Sequence, residues 1–118
     1  MPIENIRLSQ KAKDSLIKLK RTTGIEHWNV LCRWAFCLSL REPSIPPAMN
    51  HPADSNVEMT WRVFAGDHVE VYWALLKQRC QRDGIALNEH ELQRQFRLHL
   101  HRGIAYLSQA GILPDINT

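Results

Sequence analysis

Cysteine is scarce and badly spaced for chemistry: Cys32, Cys37 and Cys80 are an odd number without a CxxC pair, which speaks against a zinc ribbon or a redox motif. The opening MPIENIRL has no apolar signal region, so the thiols point to a reducing cytosol and a cytoplasmic protein. No apolar run approaches the roughly 20 residues of a bilayer crossing, and a membrane role is not expected. Glycine-rich phosphate loops and the GxSxG elbow are missing as well, which removes the usual platforms for nucleotide and hydrolase chemistry. Among the histidines there is no HExxH; His99 and His101 are two apart on a helix and face different ways, and His90 lies nine residues before His99. His27, His51 and His68 are scattered. All are read as ordinary surface or core histidines. Cys32 and Cys37 fall in an apolar helix and Cys80 on an apolar stripe, where thiols are inert. Carboxylates are dispersed and mostly explained as helix caps. No metal, no cofactor and no catalytic residue is expected, and the chain reads as a non-enzyme.

What is present is an uneven charge. Residues 1–41 carry eight basic and three acidic side chains, a net of +5, whereas residues 42–118 carry seven and nine, a net of −2. Such asymmetry marks an electrostatic face at the N-terminal end and an anionic partner. A length of 118 residues suits one domain with a modest core, and apolar and charged fractions of 44% and 23% are ordinary for a globular chain.

Along the chain, residues 3–8 read as a short extended arm. Ser9 is a candidate N-cap, Ala12, Leu16 and Leu19 recur at helical spacing, and Gly24 stops the first helix. The turn Thr23-Gly24-Ile25 folds a second helix, about 26–40, back on the first. Between Val30 and Leu40 only Arg33 and Ser39 are polar, so this helix is buried on most sides, either by a second protomer or as the centre of the monomer core. Four of the six prolines lie in 42–52, a loop or ordered linker of extended character. Val57, Met59, Trp61 and Val63 alternate with Glu58, Thr60 and Arg62, as in a half-buried strand ended by Gly66. Asp67 with Glu70 looks like the capping box of a third helix whose stripe is Val69, Tyr72, Trp73, Leu76 and Cys80. Asn88 with Glu91 starts a fourth, with Leu92, Phe96, Leu100, Ile104 and Leu107 inward and Gly111 closing it. The expected architecture is a mainly α, four-helix single domain over 1–118. It has a basic helical part (1–41), a Pro-rich loop (42–53), and a strand with two helices (54–118).

The first helix carries the strongest functional signal. At 100° per residue Lys11, Lys18 and Arg21 share an exposed flank with Asp14, and Lys13 and Lys20 make a neighbouring row. A ridge of this kind suits DNA phosphate, because backbone neutralisation needs charge and reach rather than exact geometry. Lysine outnumbers arginine here, and base reading in grooves favours bidentate arginine, so little sequence preference is expected. The helix also lacks the aromatics of a single-strand stacking platform, which favours duplex over single strands.

Two resemblances add to this reading. Ile6-Arg7-Leu8-Ser9, the first helix, Lys20-Arg21-Thr22-Thr23-Gly24-Ile25 and the second helix together resemble a ribbon–helix–helix module. That resemblance implies N-terminal strands paired between two protomers, with Asn5 and Arg7 toward DNA. It departs at Glu26, where that family has Ser or Thr near the phosphate; an acid there repels phosphate and argues against ribbon insertion in the groove. More of the chain is covered by a second likeness. The run IRLSQKAKDSLIKLKRTTGIEHWNVLCRWAFCLSLREPS, the strand VEMTWRVFAG and the terminal HLHRGIAYLSQ resemble, in order and length, the DndE family of bacterial DNA sulfur-modification proteins. This implies a non-catalytic, homotetrameric subunit of the phosphorothioation machinery that prefers nicked double-stranded DNA and works beside the other DNA sulfur-modification proteins. Carried onto this chain, the DNA-binding residues are Lys11, Lys13, Lys18, Lys20 and Arg21, with Arg7 from the arm. An oligomeric scaffold for the modification enzymes, with incidental DNA affinity, is the alternative.

Overall fold

The arm and the middle of the chain make one small sheet in this computed structural model, which describes residues 3–110. Strand β1 (Asn5–Arg7) pairs antiparallel with β2 (Glu58–Thr60) of the same chain, with Asn5 opposite Thr60, Ile6 opposite Met59 and Arg7 opposite Glu58. Side chains alternate across a pleat, so Ile6 and Met59 point inward while Asn5, Arg7, Glu58 and Thr60 share the outer face. Here the structure corrects the ribbon–helix–helix reading. The ribbon is completed in cis, because the chain carries its own second strand, and Leu8 N–H extends the pairing to Val57 O at 3.1 Å.

Helix α1 (Gln10–Thr23) begins where Ser9 Oγ accepts from Ala12 N–H at 3.1 Å and ends where Gly24, at φ 76°, adopts the left-handed conformation of a helix stop. Its stripe of Ala12, Leu16 and Leu19 is buried. Helix α2 (Trp28–Arg41) starts two residues later than the sequence suggests, and His27 at its N-cap makes no side-chain bond. Then comes the proline-rich connection to β2.

A further helix, α3 (Trp61–Ala65), replaces the second half of the expected strand, so there are five helices rather than four among the described residues. The alternation holds through Val57, Met59 and Trp61, all buried, and fails at Val63, which is 50% exposed. Thr60 decides the change: its Oγ1 accepts from Val63 N–H at 3.1 Å and caps a helical turn, whose Phe64 and Ala65 then face inward beside Trp61. The Asp67–Glu70 capping box is not formed. Helix α4 (Val69–Arg82) starts after His68, which makes no capping bond, because the turn at Gly66 (φ 61°) sets the entry. The expected stripe of α4 holds, with Leu76 and Cys80 buried and Val69, Tyr72 and Trp73 packed at the edge of the core. Helix α5 (Glu89–Ala110) is capped by Asn88, whose Oδ1 accepts from Glu91 N–H at 2.9 Å. Its five expected apolar residues are all buried; the expected stop at Gly111 lies outside the described residues.

The core centres on α2 against α5. Gly103 permits their close approach, since a Cβ there would stand 1.7 Å from Ala35 O. Phe36, Phe64 and Phe96 meet at ring centroid distances of 5.1–5.7 Å and join α2, α3 and α5. Leu31, Cys32, Ala35, Phe36 and Ser39 are buried, so α2 is the central helix. One flank of it stays at the surface: Val30, Trp34, Cys37 and Leu38 line a cleft of about 480 Å³ with Tyr72, and Trp34 is 39% exposed.

Candidate nucleic-acid interface

The basic face is built on α1, whose position is fixed at both ends. Besides the Ser9 cap, Gln10 N–H donates to Asp54 Oδ1 at 2.7 Å, so the linker before β2 holds the helix start. The burial of Leu16 and Leu19 against the core turns the cations outward. Lys11, Lys18 and Arg21 are exposed, and Lys13 and Lys20 are half-buried.

These five cations do not form one ridge. Residues 11 and 13 are 200° apart on a helix, so the Lys11–Lys18 row and the Lys13–Lys20 row stand about 160° from each other, on opposite shoulders of the apolar stripe. Arg21 lies between them on the solvent side. The two rows also have different neighbours. Lys13 Nζ donates to Asn56 Oδ1 at 2.6 Å, and Lys20 Nζ sits 4.0 Å from the centroid of the Trp28 ring. Lys11 instead borders a hollow of about 250 Å³ shared with Pro46, Met49, His51 and Tyr106.

Arg7 is on the outer face of β1 as expected, but it is engaged. Its guanidinium bonds Glu58 Oε2 at 2.7 Å and Ser55 O at 3.1 Å. Asn5 shares that face. Trp28 and Asn56 were not part of the basic surface read from the sequence. The signal for Trp28 was present in the tight turn at Gly24, which must bring the start of α2 back beside the end of α1. Asn56 comes from the linker, and no local pattern ties it to Lys13.

Other basic residues face inward. Arg79, Arg97 and Arg102 donate to main-chain carbonyls: Arg79 to Leu40 O and Ser44 O, Arg97 to His51 O, and Arg102 to Ser39 O and Ser44 O, all at 2.6–2.9 Å. They hold the proline-rich loop against the helices, and that loop is ordered for this reason. Arg33 does the same for α3 through Phe64 O at 2.8 Å.

Two histidines of α5, His99 and His101, are structural. Ser39 Oγ accepts from Arg102 Nε and pairs with His99 Nδ1, both at 2.8 Å, which ties α2 to α5. His101 joins Ser9 N–H to Arg97 O and stacks on His51 at a centroid distance of 4.4 Å. Burial pushes both His99 and His101 down to about 4. Burial likewise pushes the Cys32 thiol up to about 12 and the Cys80 thiol up to about 11, and it raises Cys37. Among the described residues no His, Cys, Asp and Glu side chains gather in a group that could hold a metal ion, and no helix is long and apolar enough to cross a membrane.

Comparison with known proteins places this geometry in a family. No curated protein matches the chain. The crystal structure of DndE from Escherichia coli B7A, a protein involved in DNA phosphorothioation modification, is similar at 26% identity and a TM-score of 0.74. That likeness covers 91% of this chain and 98% of the other. A crystal structure of a glycine-to-lysine DndE mutant has the same fold at 20% identity and a TM-score of 0.66, over 88% of this chain and 97% of its own. A family model described as "DNA sulphur modification protein DndE" matches residues 5–113, and the chain therefore belongs to the DndE family.

Proposed function

We propose that the chain is a non-catalytic DNA-binding subunit of the DNA phosphorothioation machinery. It holds the backbone of duplex DNA, nicked duplex by preference, through the lysines of α1. The observation that carries this reading is the division of the cations: Lys11, Lys18 and Arg21 stand exposed while the interior arginines are committed to carbonyls. Flexible point charges in solvent suit phosphates, whose neutralisation releases counterions. The engagement of Arg7 by Glu58 makes the ribbon a weaker contributor than α1. A non-catalytic role fits thiols held well away from the thiolate form.

Under this proposal the protein acts in the cytoplasm, as a homo-oligomer beside the other DNA sulfur-modification proteins. The family resemblance implies a tetramer, and the apolar flank of α2 around Trp34 gives copies of the chain a face to share. Several copies of α1 raise affinity only if they meet one DNA surface. A nick makes bending cheaper, which gives a physical ground for the preference. If the preference has that origin, pre-bent intact duplex binds tighter than straight intact duplex. The decisive experiment is a titration of duplex DNA at several salt concentrations. A steep slope that flattens when Lys11, Lys13, Lys18 and Lys20 become Ala supports DNA holding. A slope that those changes leave untouched favours the scaffold reading, in which the α2 flank is the working surface.

A further inference from the structure

Trp28 is the first residue of α2, and it is only half-buried although its body packs on the core. It divides two clefts. One is lined by Lys13, Asn56 and Glu58, the other by Lys20, Arg21 and Glu26. Each cleft therefore pairs the indole with a cation. Lys20 Nζ lies over the ring 4.0 Å from its centroid, so a π face of Trp28 is covered by a lysine end from α1. Gly24, at φ 76°, makes the turn that brings this ring against the α1 lysines. Thus the aromatic that α1 itself lacks is supplied from α2.

We propose that Trp28 is a stacking platform for a nucleobase freed from its stack at a break in one DNA strand. Lys13 and Lys20 take the phosphates flanking that base. The inference rests on the backbone-binding reading and deepens it: the lysines hold the duplex, and Trp28 selects the interruption. A planar, apolar base fits an indole face, and stacking of this kind tolerates any sequence. On binding, the Lys20 ammonium leaves the ring for a phosphate and the base takes its place. Between the clefts, the Lys13 side is the more open to phosphate, because Arg7 already holds Glu58 at 2.7 Å whereas Glu26 is exposed beside Lys20.

The test uses three duplexes of one sequence: intact, nicked, and gapped so that 2-aminopurine is the unpaired base. Base stacking corresponds to a gain on the order of tenfold for the gapped over the intact duplex. Trp28→Leu is expected to erase that gain without weakening binding to the intact duplex, since it removes no cation and frees Lys20 from the ring. Trp28→Phe, which keeps a ring and the packing, retains part of it. The 2-aminopurine fluorescence falls on binding to the unaltered protein and to Trp28→Phe, and stays bright with Trp28→Leu. A Leu variant that keeps both the gain and the quenching overturns the proposal. So does an equal loss on all three duplexes, which assigns Trp28 to packing alone. Should Trp28→Leu not fold, bright 2-aminopurine in complex with the unaltered protein overturns it by itself. A Lys11→Ala/Lys18→Ala variant separates the two readings: an unchanged salt slope with quenching intact takes that lysine pair out of the duplex contact and leaves Trp28 stacking in place.

Discussion

Around the C-terminal end of α2, Arg79 of α4 and Arg102 of α5 commit their donors to Leu40 O, Ser39 O and Ser44 O, and their side chains are almost closed to water. Along α1, Lys11 and Lys18 carry the same formal charge and stand in solvent. The difference teaches that a charge count along the chain mixes two populations. Of the seven basic residues after position 41, Arg79, Arg97 and Arg102 are occupied by carbonyls, and the acid drawn inward with them is Asp83, 2.8 Å from Arg79. Over residues 42–110, with seven basic and eight acidic side chains, the outward-facing charge is thus more negative than the formal −1, and the contrast with α1 is sharper at the surface than in the sequence. A planar fork matches fixed carbonyls, while a flexible ammonium suits a phosphate that varies in position.

The interior side of the comparison breaks most severely at Gly103. In Gly103→Ala the new Cβ would stand 1.7 Å from Ala35 O, so the two helices must separate. A loss of about 3 kcal/mol or more is expected, read as a fall in the midpoint of urea unfolding. Acid is the next lever. His99 and His101 have their pKa values pushed down from 6.5 to about 4 in the folded chain. Above pH 6.5 both states hold neutral imidazoles and these groups leave stability level. Between 6.5 and 4 the unfolded chain takes up protons that the folded chain refuses, so stability falls as pH falls, and below 4 the loss is complete. About 2 kcal/mol for each histidine is expected between pH 7.5 and 4.5, and His99→Gln should flatten the urea midpoint against pH. Arg102→Lys is the sharpest interior test, because it keeps the charge and removes the fork. Ser39 O and Ser44 O lose donors, and about 2 kcal/mol of stability should go while the salt slope of DNA binding stays as it was.

Much of the helical frame was legible. Ser9, Gly24 and Asn88 mark helix ends by their own chemistry, and the α5 stripe from Leu92 to Leu107 is periodic over enough turns to leave no other reading. The strand at 57–63 was half right, because Trp61 satisfies an alternating and a helical pattern equally, and Thr60 tips the balance through a cap that alternation does not register. The cis ribbon and the Lys13–Asn56 contact join segments more than forty residues apart, and no local pattern encodes them. On the candidate site, residue types were legible and so was their grouping, since helical spacing alone sets the Lys13–Lys20 row about 160° from Lys11 and Lys18 although the four read as one ridge. What no spacing gives is the company of that second row, Asn56 and Trp28.

That split supplies the prediction with the smallest effect on stability and the finest bearing on the comparison. Lys11→Ala/Lys18→Ala and Lys13→Ala/Lys20→Ala should each change folding stability by no more than about 0.5 kcal/mol, since exposed or rim positions tolerate truncation. Their effects on DNA should differ. Lys11 and Lys18 meet phosphate at little internal cost, so removing both should lower the salt slope for intact duplex by about 1.8. Lys13 and Lys20 must first leave Asn56 Oδ1 and the Trp28 ring, so their loss should lower that slope by less. Equal slopes for the two pairs would mean that the internal contacts of Lys13 and Lys20 yield freely. The two shoulders would then act on DNA as a single population, and the line between committed and available cations would run only between the α1 lysines and the interior arginines.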